Sequence, residues 1–232
     1  ALGDALVETG GINEVVIAEH FVKWMRSKPT DIGHTIRQGL SRFKLFRTTQ
    51  APYSEYAASN GSLMRNLPVI IASIRDEKQL DEWSTRQSII THNNTLALAG
   101  TLMISQLARL TLLEGQSAPL KLKNQEWIDQ YPRFDHRLYK RSYDGHIVDT
   151  VRTVLYYFFN TYDFESCLIG VVNAGGDADT NGAIAGMLAA AFYGVESIPH
   201  RWLKKLDPVI KKKIKVQVDA LFMRFVACSQ EV

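Results

Sequence analysis

The residues best suited to chemistry lie in one short segment, Asn173–Gly186, which reads NAGGDADTNGAIAG. Its side chains Asp177, Asp179 and Thr180 offer only oxygen atoms, the donors that hard divalent cations such as Mg²⁺ and Mn²⁺ prefer. The Gly-Gly pair before them allows a tight turn, and the N-terminus of the helix predicted to follow favours phosphate. The segment is therefore a candidate site for a divalent cation and a phosphate-bearing ligand.

A purely structural role competes with this interpretation. Asp and Thr are preferred at helix N-caps for a reason unconnected with metals, so Asp179 or Thr180 would simply cap the predicted helix. For an isolated D-x-D-T pattern, capping is the favoured interpretation. Motifs elsewhere in the chain are needed to distinguish metal binding from helix capping.

The spacing of apolar residues, mostly three and four apart, predicts helices along most of the chain. No series of alternating residues indicates a strand, so we predict an all-α fold, a single compact multi-helix domain over residues 1–232. Residues 114–145 contain several Gly and Pro and are expected to form an irregular surface excursion that could rim a site. Helices are expected at Val15–Met25 with Asn13 as N-cap, Asp31–Leu45, Leu63–Ile74, twice within Asp81–Leu113 with a junction at Thr91–Thr95, His146–Asn160, Phe164–Val172, Asp179–Tyr193, and after Pro208.

Composition narrows the class of protein. With 46% hydrophobic residues, 232 residues can fill a sizeable core, and 27 Lys+Arg against 24 Asp+Glu do not favour nucleic-acid binding. Cys167 and Cys228 lack the close spacing of a zinc site or a redox pair, which fits a reducing compartment. No stretch approaches the roughly 18 uninterrupted apolar residues of a membrane span, and no signal-peptide pattern is present. We therefore expect a cytoplasmic protein.

Five motifs, taken in order, resemble the ADP-ribosylglycohydrolase family. Each is weak or moderate alone, but the order and the final GGDADT are specific. The resemblance implies an all-α fold with a binuclear centre of two Mn²⁺ or Mg²⁺ ions, and a hydrolase that removes ADP-ribose from a modified arginine side chain. The motifs are GDAL at Gly3–Leu6, PTDIGHT at Pro29–Thr35, APYSE with SNGSLMR as one motif within Ala51–Arg65, ITH at Ile90–His92, and GGDADTNGAIAG at Gly175–Gly186.

The same resemblance implies the roles of individual residues. Asp31 matches the family's catalytic carboxylate, which assists proton transfer as the C1″–N bond opens. The metal ligands that it implies are Asp177, Asp179 and Thr180, and the substrate-binding positions are His34, Thr35, Glu55, His92 and His146.

Three of these residues also have an alternative interpretation in which they do not bind a ligand or take part in catalysis. Asp31 would serve equally as the N-cap of the helix that follows it, and a cap directs its side chain towards an exposed helix end, so the two roles are compatible. Glu55 could be a solvated loop carboxylate. His92 could be a polar core histidine that is hydrogen-bonded to backbone.

The sequence departs from the family pattern near its beginning. The family follows GDA-x-G with a Glu and then a TDDT motif, which supply the other half of the metal site, whereas here GDAL runs directly into VETGG. We therefore expect a segment of the family pattern to be absent between Leu6 and Val7, either deleted in this protein or left out of the sequence. If it is deleted, the protein keeps half of its metal ligands and is a weak or inactive relative.

The resemblance also implies partners. The expected target is an ADP-ribosylated protein, the iron protein of nitrogenase being the case that the resemblance suggests. A signalling protein of the PII type is a second expected partner. Peripheral membrane association is expected only through that partner. Two other functions stay open: a catalytically silent module that binds ADP-ribose or PII, and a hydrolase of O-linked ADP-ribose.

Overall fold

The computed structural model describes residues 1–115, 117–141 and 144–227, and Cys228 lies outside them. Within these ranges the regular structure is helical and contains no β-strand, which confirms the predicted all-α class. Two compact units are present: Ala1–Leu102 together with the chain from Pro208 onwards, and Met103–Asp207. That residues 1–232 form one domain stays a prediction. The helices are α1 (Leu2–Thr9), α2 (Glu14–Arg26), α3 (His34–Phe46), α4 (Leu67–Ala72), α5 (Glu77–Ile89), α6 (Thr95–Glu114), α7 (Ser117–Gln130), α8 (Ile147–Asn160), α9 (Phe164–Asn173), α10 (Ala178–Tyr193), α11 (His200–Leu203) and α12 (Pro208–Leu221).

Helix α2 of the first unit forms as its sequence predicts. The Asn13 side chain accepts a hydrogen bond from the Val16 backbone N–H at 3.1 Å, which satisfies one of the free donors at the helix start. Apolar residues three and four apart, from Ile17 to Val22, then form a single buried face. The predicted junction between two helices near Thr91–Thr95 is also confirmed, since α5 ends at Ile89 and α6 begins at Thr95.

Helix α1 runs through Leu6 and Val7 without interruption. Leu2, Ala5 and Leu6 are buried on one side, and Gly10 ends the helix in the left-handed conformation with its N–H bonded to the Leu6 carbonyl. The absence of a family segment between Leu6 and Val7 stays a prediction.

Helix α3 corrects the predicted start at Asp31. The helix begins at His34, and its N-cap is Gly33, which has no side chain with which to cap. The interpretation of Asp31 as an N-cap is therefore wrong: this carboxylate precedes the helix by three positions, too far to reach the N–H groups of the first turn in the usual capping geometry.

Gly39 lets α3 approach the loop that follows α5. A Cβ at this position would lie 2.9 Å from both the Ile90 carbonyl oxygen and the Thr91 Cα, which are backbone atoms that cannot rotate away. We expect Gly39→Ala to lower the free energy of unfolding by about 1–3 kcal/mol, as overpacking does. Urea unfolding measures this, with Gly186→Ala as the control, because a Cβ there meets only Leu168 Cδ1 at 3.7 Å. Equal stability of the two variants would contradict the close approach.

The second unit corrects the irregular excursion predicted for residues 114–145. Fourteen of those residues form α7. Its Leu120 and Ile128 are buried, and its Trp127 donates a hydrogen bond to Gln106 at 2.9 Å. Pro119 does not break the helix because it lies in the first turn, where the missing N–H has no intrahelical partner to lose.

Helix α6 is long and apolar enough to cross a membrane by length and composition, with a mean hydropathy of 1.5 over its most apolar 18 residues. In the structure 61% of that stretch is buried inside the protein. A helix that is apolar all round is also typical of the core of a soluble fold. The burial favours the role of a core helix.

Candidate functional site

Three of the predicted site residues lie at the start of α10 in the second unit. Asp177 is the N-cap residue, and its side chain makes no capping hydrogen bond; Asp179 and Thr180 follow in the first turn. The interpretation of Asp179 or Thr180 as the cap is therefore wrong, because neither occupies the cap position. Asp179 is exposed, whereas Asp177 and Thr180 are half-buried. The two carboxylates thus lie at the mouth of a 16-residue helix, where the N–H groups favour negative charge.

The predicted Gly-Gly turn is confirmed directly before this helix. Gly175 and Gly176 have φ angles of +81° and +67°, a conformation that other residues rarely adopt. Arg141 holds the end of α9 beside the turn, with Nε donating to the Ala174 carbonyl at 2.6 Å and Nη2 to the Asn173 carbonyl at 3.1 Å. Sequence analysis missed this role, although a basic residue at a helix C-terminus is a known way to satisfy its free carbonyls.

The side-chain oxygen donors at the start of α10 are of the type that a hard divalent cation prefers, but they are too few to hold the cation alone. Two carboxylates and a hydroxyl are oxygen donors of the kind that Mg²⁺ and Mn²⁺ take. Next to them, the side-chain oxygen of Asn181 is buried without a hydrogen-bond partner among the described residues. In the described ranges, however, no three His, Cys, Asp or Glu side chains group closely enough to hold a metal. The segment therefore offers oxygen donors for at most part of a metal-ligand set, and its role in metal binding stays a prediction.

His146, also in the second unit, caps α8. Its Nδ1 accepts a hydrogen bond from the Val148 backbone N–H at 3.2 Å, and the side chain is half-buried. The predicted helix start at His146 is confirmed. The capping bond fixes the imidazole at the helix end, which leaves Nε2 and the ring face for any contact with a ligand.

In the first unit, His34 and Thr35 line a cavity of about 530 Å³ at the start of α3. The volume lies in the usual range for small-molecule sites. Asp31 lies in the exposed loop that leads to this helix and makes no hydrogen bond or ion pair with any residue that the structure describes. The other lining residues are Gln38, Gly39, Arg42, Ala51, Pro52, Ser54, Tyr56, Ala57 and Thr91.

Residues 51–57 form one wall of this cavity, and two asparagines anchor that wall by hydrogen bonds. Asn93 Nδ2 donates to the Ala51 carbonyl at 2.8 Å, and Asn94 Nδ2 donates to the Ser54 carbonyl at 2.9 Å. Asn94 Oδ1 also accepts from the N–H groups at the start of α6, so one side chain caps a helix and anchors the loop. Glu55 is exposed on this loop. The sequence predicted the junction at Thr91–Thr95 but not its anchoring role.

His92 lies behind the same cavity, 1% exposed. Its Nδ1 is hydrogen-bonded to Thr91 Oγ1 at 2.7 Å and its Nε2 to Ser59 Oγ at 2.8 Å. Burial, together with the nearby Arg65 guanidinium, lowers the pKa of His92 to about 3. This is the arrangement of a neutral core histidine, bonded to side chains rather than to backbone, and any contact with a ligand would pass through Thr91 or Ser59.

The buried His92 predicts a pH dependence of stability. In the unfolded chain the imidazole binds a proton below its ordinary pKa of about 6.5, whereas in the folded protein it does so only near 3. As the pH falls from 6.5 towards 3, the unfolded state binds more protons, so His92 lowers the free energy of unfolding by up to about 1.4 kcal/mol per pH unit. Above pH 6.5 it has no effect.

Urea unfolding at pH 7, 6 and 5 measures this effect. We expect the free energy of unfolding to fall more steeply with decreasing pH for the wild-type protein than for His92→Gln, which keeps a polar neutral side chain. Parallel slopes for the two proteins would contradict the lowered pKa.

Comparison with known proteins agrees with these features. The ADP-ribosylglycohydrolase family profile matches residues 1–230. A Rhodospirillum rubrum protein named ADP-ribosyl-[dinitrogen reductase] glycohydrolase is 42% identical over 221 residues, which are 95% of this chain and 75% of that protein. A solved structure described as an ADP-ribosylglycohydrolase-related protein complex superposes with a TM-score of 0.84 at 26% identity, over 97% of this chain and 78% of that one.

Two further relatives are named ADP-ribosylarginine hydrolase Tri1. The protein from Pseudomonas putida (strain GB-1) is 28% identical over 223 residues, and the one from Serratia proteamaculans (strain 568) is 24% identical over 237 residues. The match covers 88% and 95% of this chain but only 59% and 64% of the Tri1 proteins. The resemblance carried by the five motifs is thus confirmed, and the chain belongs to the ADP-ribosylglycohydrolase family, a family of hydrolases.

Proposed function

We propose that the protein is a metal-dependent hydrolase that removes ADP-ribose from an ADP-ribosylated arginine of a target protein. The observation that carries this proposal is the 42% identity, over 95% of the chain, to a glycohydrolase of ADP-ribosylated dinitrogen reductase. The names of the two Tri1 relatives support arginine as the modified residue.

In the proposed reaction the C1″–N bond breaks and water supplies the new oxygen at C1″. One proton of the water ends on the guanidine nitrogen that leaves. Asp31 is the proposed carrier of that proton, because its carboxylate is exposed and is bonded to no other described residue. Such a group can accept a proton and release it without first giving up a structural bond.

The α10 segment is the proposed metal-binding part of the site. Asp177, Asp179 and Thr180 would hold Mn²⁺ or Mg²⁺ through oxygen, with the Gly-Gly turn setting their positions. When bound, two such ions would supply positive charge that orients and polarises the ribose hydroxyls.

The cavity at α3 is the proposed site of the ADP-ribose. His34 and Thr35 form the first turn of a 13-residue helix, whose N–H groups are favourable partners for phosphate. Glu55 is proposed to contact the ligand from the loop wall and His92 to act indirectly through Thr91. His146 is proposed to contact the substrate through its ring.

The proposed target is an ADP-ribosylated protein, with the iron protein of nitrogenase as the first case to test, because the Rhodospirillum rubrum relative is named for dinitrogen reductase. A PII-type partner, membrane association through that partner, and a cytoplasmic location stay predictions from the family resemblance.

A catalytically silent binding module is the second candidate function. The observation that favours it is the incomplete metal-ligand set among the described residues. Such a protein would bind ADP-ribose and leave the modified arginine intact.

One experiment separates these functions. The protein is incubated with Mn²⁺ and either arginine-linked or serine-linked ADP-ribosylated protein, and free ADP-ribose is quantified, while calorimetry measures ADP-ribose binding in parallel. Release from the arginine-linked substrate alone supports the proposal. Binding without release supports the silent module, and release mainly from the serine-linked substrate supports an O-linked hydrolase.

A further inference from the structure

A chain of four hydrogen-bonded side chains in the first unit connects Arg65 with the cavity at α3. Arg65 Nη2 donates a hydrogen bond to Thr91 Oγ1 at 2.9 Å, and Thr91 Oγ1 is hydrogen-bonded to His92 Nδ1 at 2.7 Å. The chain ends at Ser59, whose Oγ lies 2.8 Å from His92 Nε2. Thr91 also lines the cavity, so the chain reaches the cavity wall.

The guanidinium of Arg65 gives this chain a direction, because it has only N–H donors to offer. Two further bonds hold it in place: Nε donates to Gln87 Oε1 at 2.7 Å, and Nη2 also donates to the Gln87 carbonyl at 2.8 Å. Burial lowers the pKa of Arg65 to about 9, which still leaves the group charged at pH 7. The Thr91 oxygen therefore accepts from Arg65 and cannot donate to it.

The Thr91 hydroxyl determines which nitrogen of His92 carries the proton. Thr91 is 3% exposed, and besides Arg65 the partner of its hydroxyl among the described residues is His92 Nδ1. If Nδ1 carried the proton, the buried hydroxyl hydrogen would be left without an acceptor, which costs free energy. The hydroxyl therefore donates to an unprotonated Nδ1, and the proton of the neutral ring lies on Nε2.

This tautomer lets His92 anchor the polypeptide next to the cavity wall. Its Nε2–H donates to Ser59 Oγ, two positions beyond the wall segment 51–57. Gly61 brings the same loop against the ring, since a Cβ there would lie 2.7 Å from His92 Cε1 and 2.8 Å from Nε2. The bond to Ser59 thus adds to those by which the two neighbouring asparagines hold the wall.

We propose that Arg65 is a positioning residue of the ADP-ribose cavity, which orients the Thr91 hydroxyl and thereby holds His92 as the Nε2–H tautomer that anchors the wall. Arg65 does not line the cavity and acts through Thr91 and His92. Among the described residues it is also the charged group that opposes protonation of His92. The link to ADP-ribose rests on the proposed function, whereas the tautomer is a property of the free protein.

Nitrogen NMR of the 232-residue chain labelled with ¹⁵N-histidine measures the tautomer directly. Couplings between the ring nitrogens and the carbon-bound hydrogens show which nitrogen carries the proton, and His92→Gln identifies the signals of His92 by their loss. At pH 7 the wild-type protein should show the proton of His92 on Nε2. A proton on Nδ1, or an even mixture of the two tautomers, would overturn the proposal.

Arg65→Met tests whether Arg65 sets this tautomer, because methionine keeps an unbranched apolar side chain without charge or N–H. The Gln87 carbonyl, four residues before Thr91, then loses its donor, and the Thr91 hydroxyl can turn to it and accept from Nδ1–H instead. The Nδ1–H form of His92 should therefore become detectable. Arg26→Met, on the exposed side of α2, should leave the His92 signals unchanged. Identical His92 signals in Arg65→Met and the wild type would overturn the proposal.

Thr91 variants test the effect on the cavity and stand even if Arg65→Met does not fold. Thr91→Val keeps the shape of the side chain but lacks the hydroxyl, and should weaken ADP-ribose binding in calorimetry by about 2–10-fold, the worth of one hydrogen bond. In the release assay it should raise KM rather than lower kcat. Thr91→Ser, which restores the hydroxyl, should weaken binding less and recover the wild-type His92 signals.

Thr111→Val is the matched control. Thr111 is 2% exposed, and its hydroxyl donates to the Leu107 carbonyl within α6. It should leave ADP-ribose binding and the His92 signals unchanged. Equal binding by Thr91→Val and Thr111→Val would overturn the proposal. If the wild-type protein binds no ADP-ribose, the proposed function fails, and the NMR comparison of Arg65→Met with the wild type still decides whether Arg65 positions His92.

Discussion

Replacing Asp31 by Asn should lower kcat for ADP-ribose release by about 10²–10⁴-fold, the usual contribution of a general acid or base. Asparagine keeps the size and polarity of the side chain but cannot carry the proton. Asp31 is exposed, precedes the N-cap of α3 and has no bonded partner in the described structure, so the free energy of unfolding should change by less than about 0.5 kcal/mol.

Asp76→Asn is the matched control for this prediction. Asp76 is a true N-cap: its side chain accepts from the N–H groups of Lys78 and Gln79 at the start of α5. Asparagine caps nearly as well as aspartate, so this variant should keep both its activity and its stability. An Asp31→Asn protein with wild-type kcat would contradict the catalytic role, and one that is clearly destabilised would indicate a structural role instead.

Asp179→Ala should weaken Mn²⁺ binding and abolish ADP-ribose release. Substituting a residue that only supports a metal ligand weakens metal binding by roughly 10–100-fold, and the loss of a ligand should weaken it more. The structural cost should be small. Asp179 is exposed and is not the cap, so the main loss is its interaction with the helix dipole, about 0.3–1 kcal/mol. Calorimetric titration with Mn²⁺, together with the Mn²⁺-induced shift in Tm, measures the effect.

Glu165→Ala is the control for Asp179→Ala, because Glu165 is likewise an acidic residue in the first turn of a helix, α9. It should lose similar helix stabilisation, and in addition its exposed ion pair with Arg201, and keep the Mn²⁺ response. If Asp179→Ala and Glu165→Ala bind Mn²⁺ equally well, the α10 segment is not the metal site.

Much of the fold was predictable because the apolar spacing is local information. Helices α2, α8 and α10 follow from residues three and four apart, and the Gly-Gly turn follows from the freedom of glycine. The errors at the starts of α3, α7 and α10 have a common cause. A proline or an aspartate near a helix start has a different effect at the N-cap position than within the first turn. The spacing of apolar residues does not show which of these positions the residue occupies.

The hydrogen bonds that hold the site in place were not predictable, because they join residues that are distant in sequence. Arg141 holds carbonyls 32 and 33 positions away, and Asn93 anchors a loop 42 positions away. Arg65 reaches Gln87 and Thr91 across 22 and 26 positions. Each of these side chains is an ordinary polar residue in the sequence, and tertiary packing gives it its role.

The most direct test of the proposed function follows a peptide that carries ADP-ribosyl-arginine by mass spectrometry during incubation with the protein and Mn²⁺. The proposal predicts that the wild-type chain regenerates the unmodified arginine peptide over successive turnovers, and that Asp31→Asn and Asp179→Ala do so only at the rate of the protein-free control. If the modified peptide disappears with the wild-type chain no faster than in the protein-free control, the hydrolase function is contradicted. If all three proteins remove it equally fast and faster than that control, the roles of Asp31 and Asp179 are contradicted.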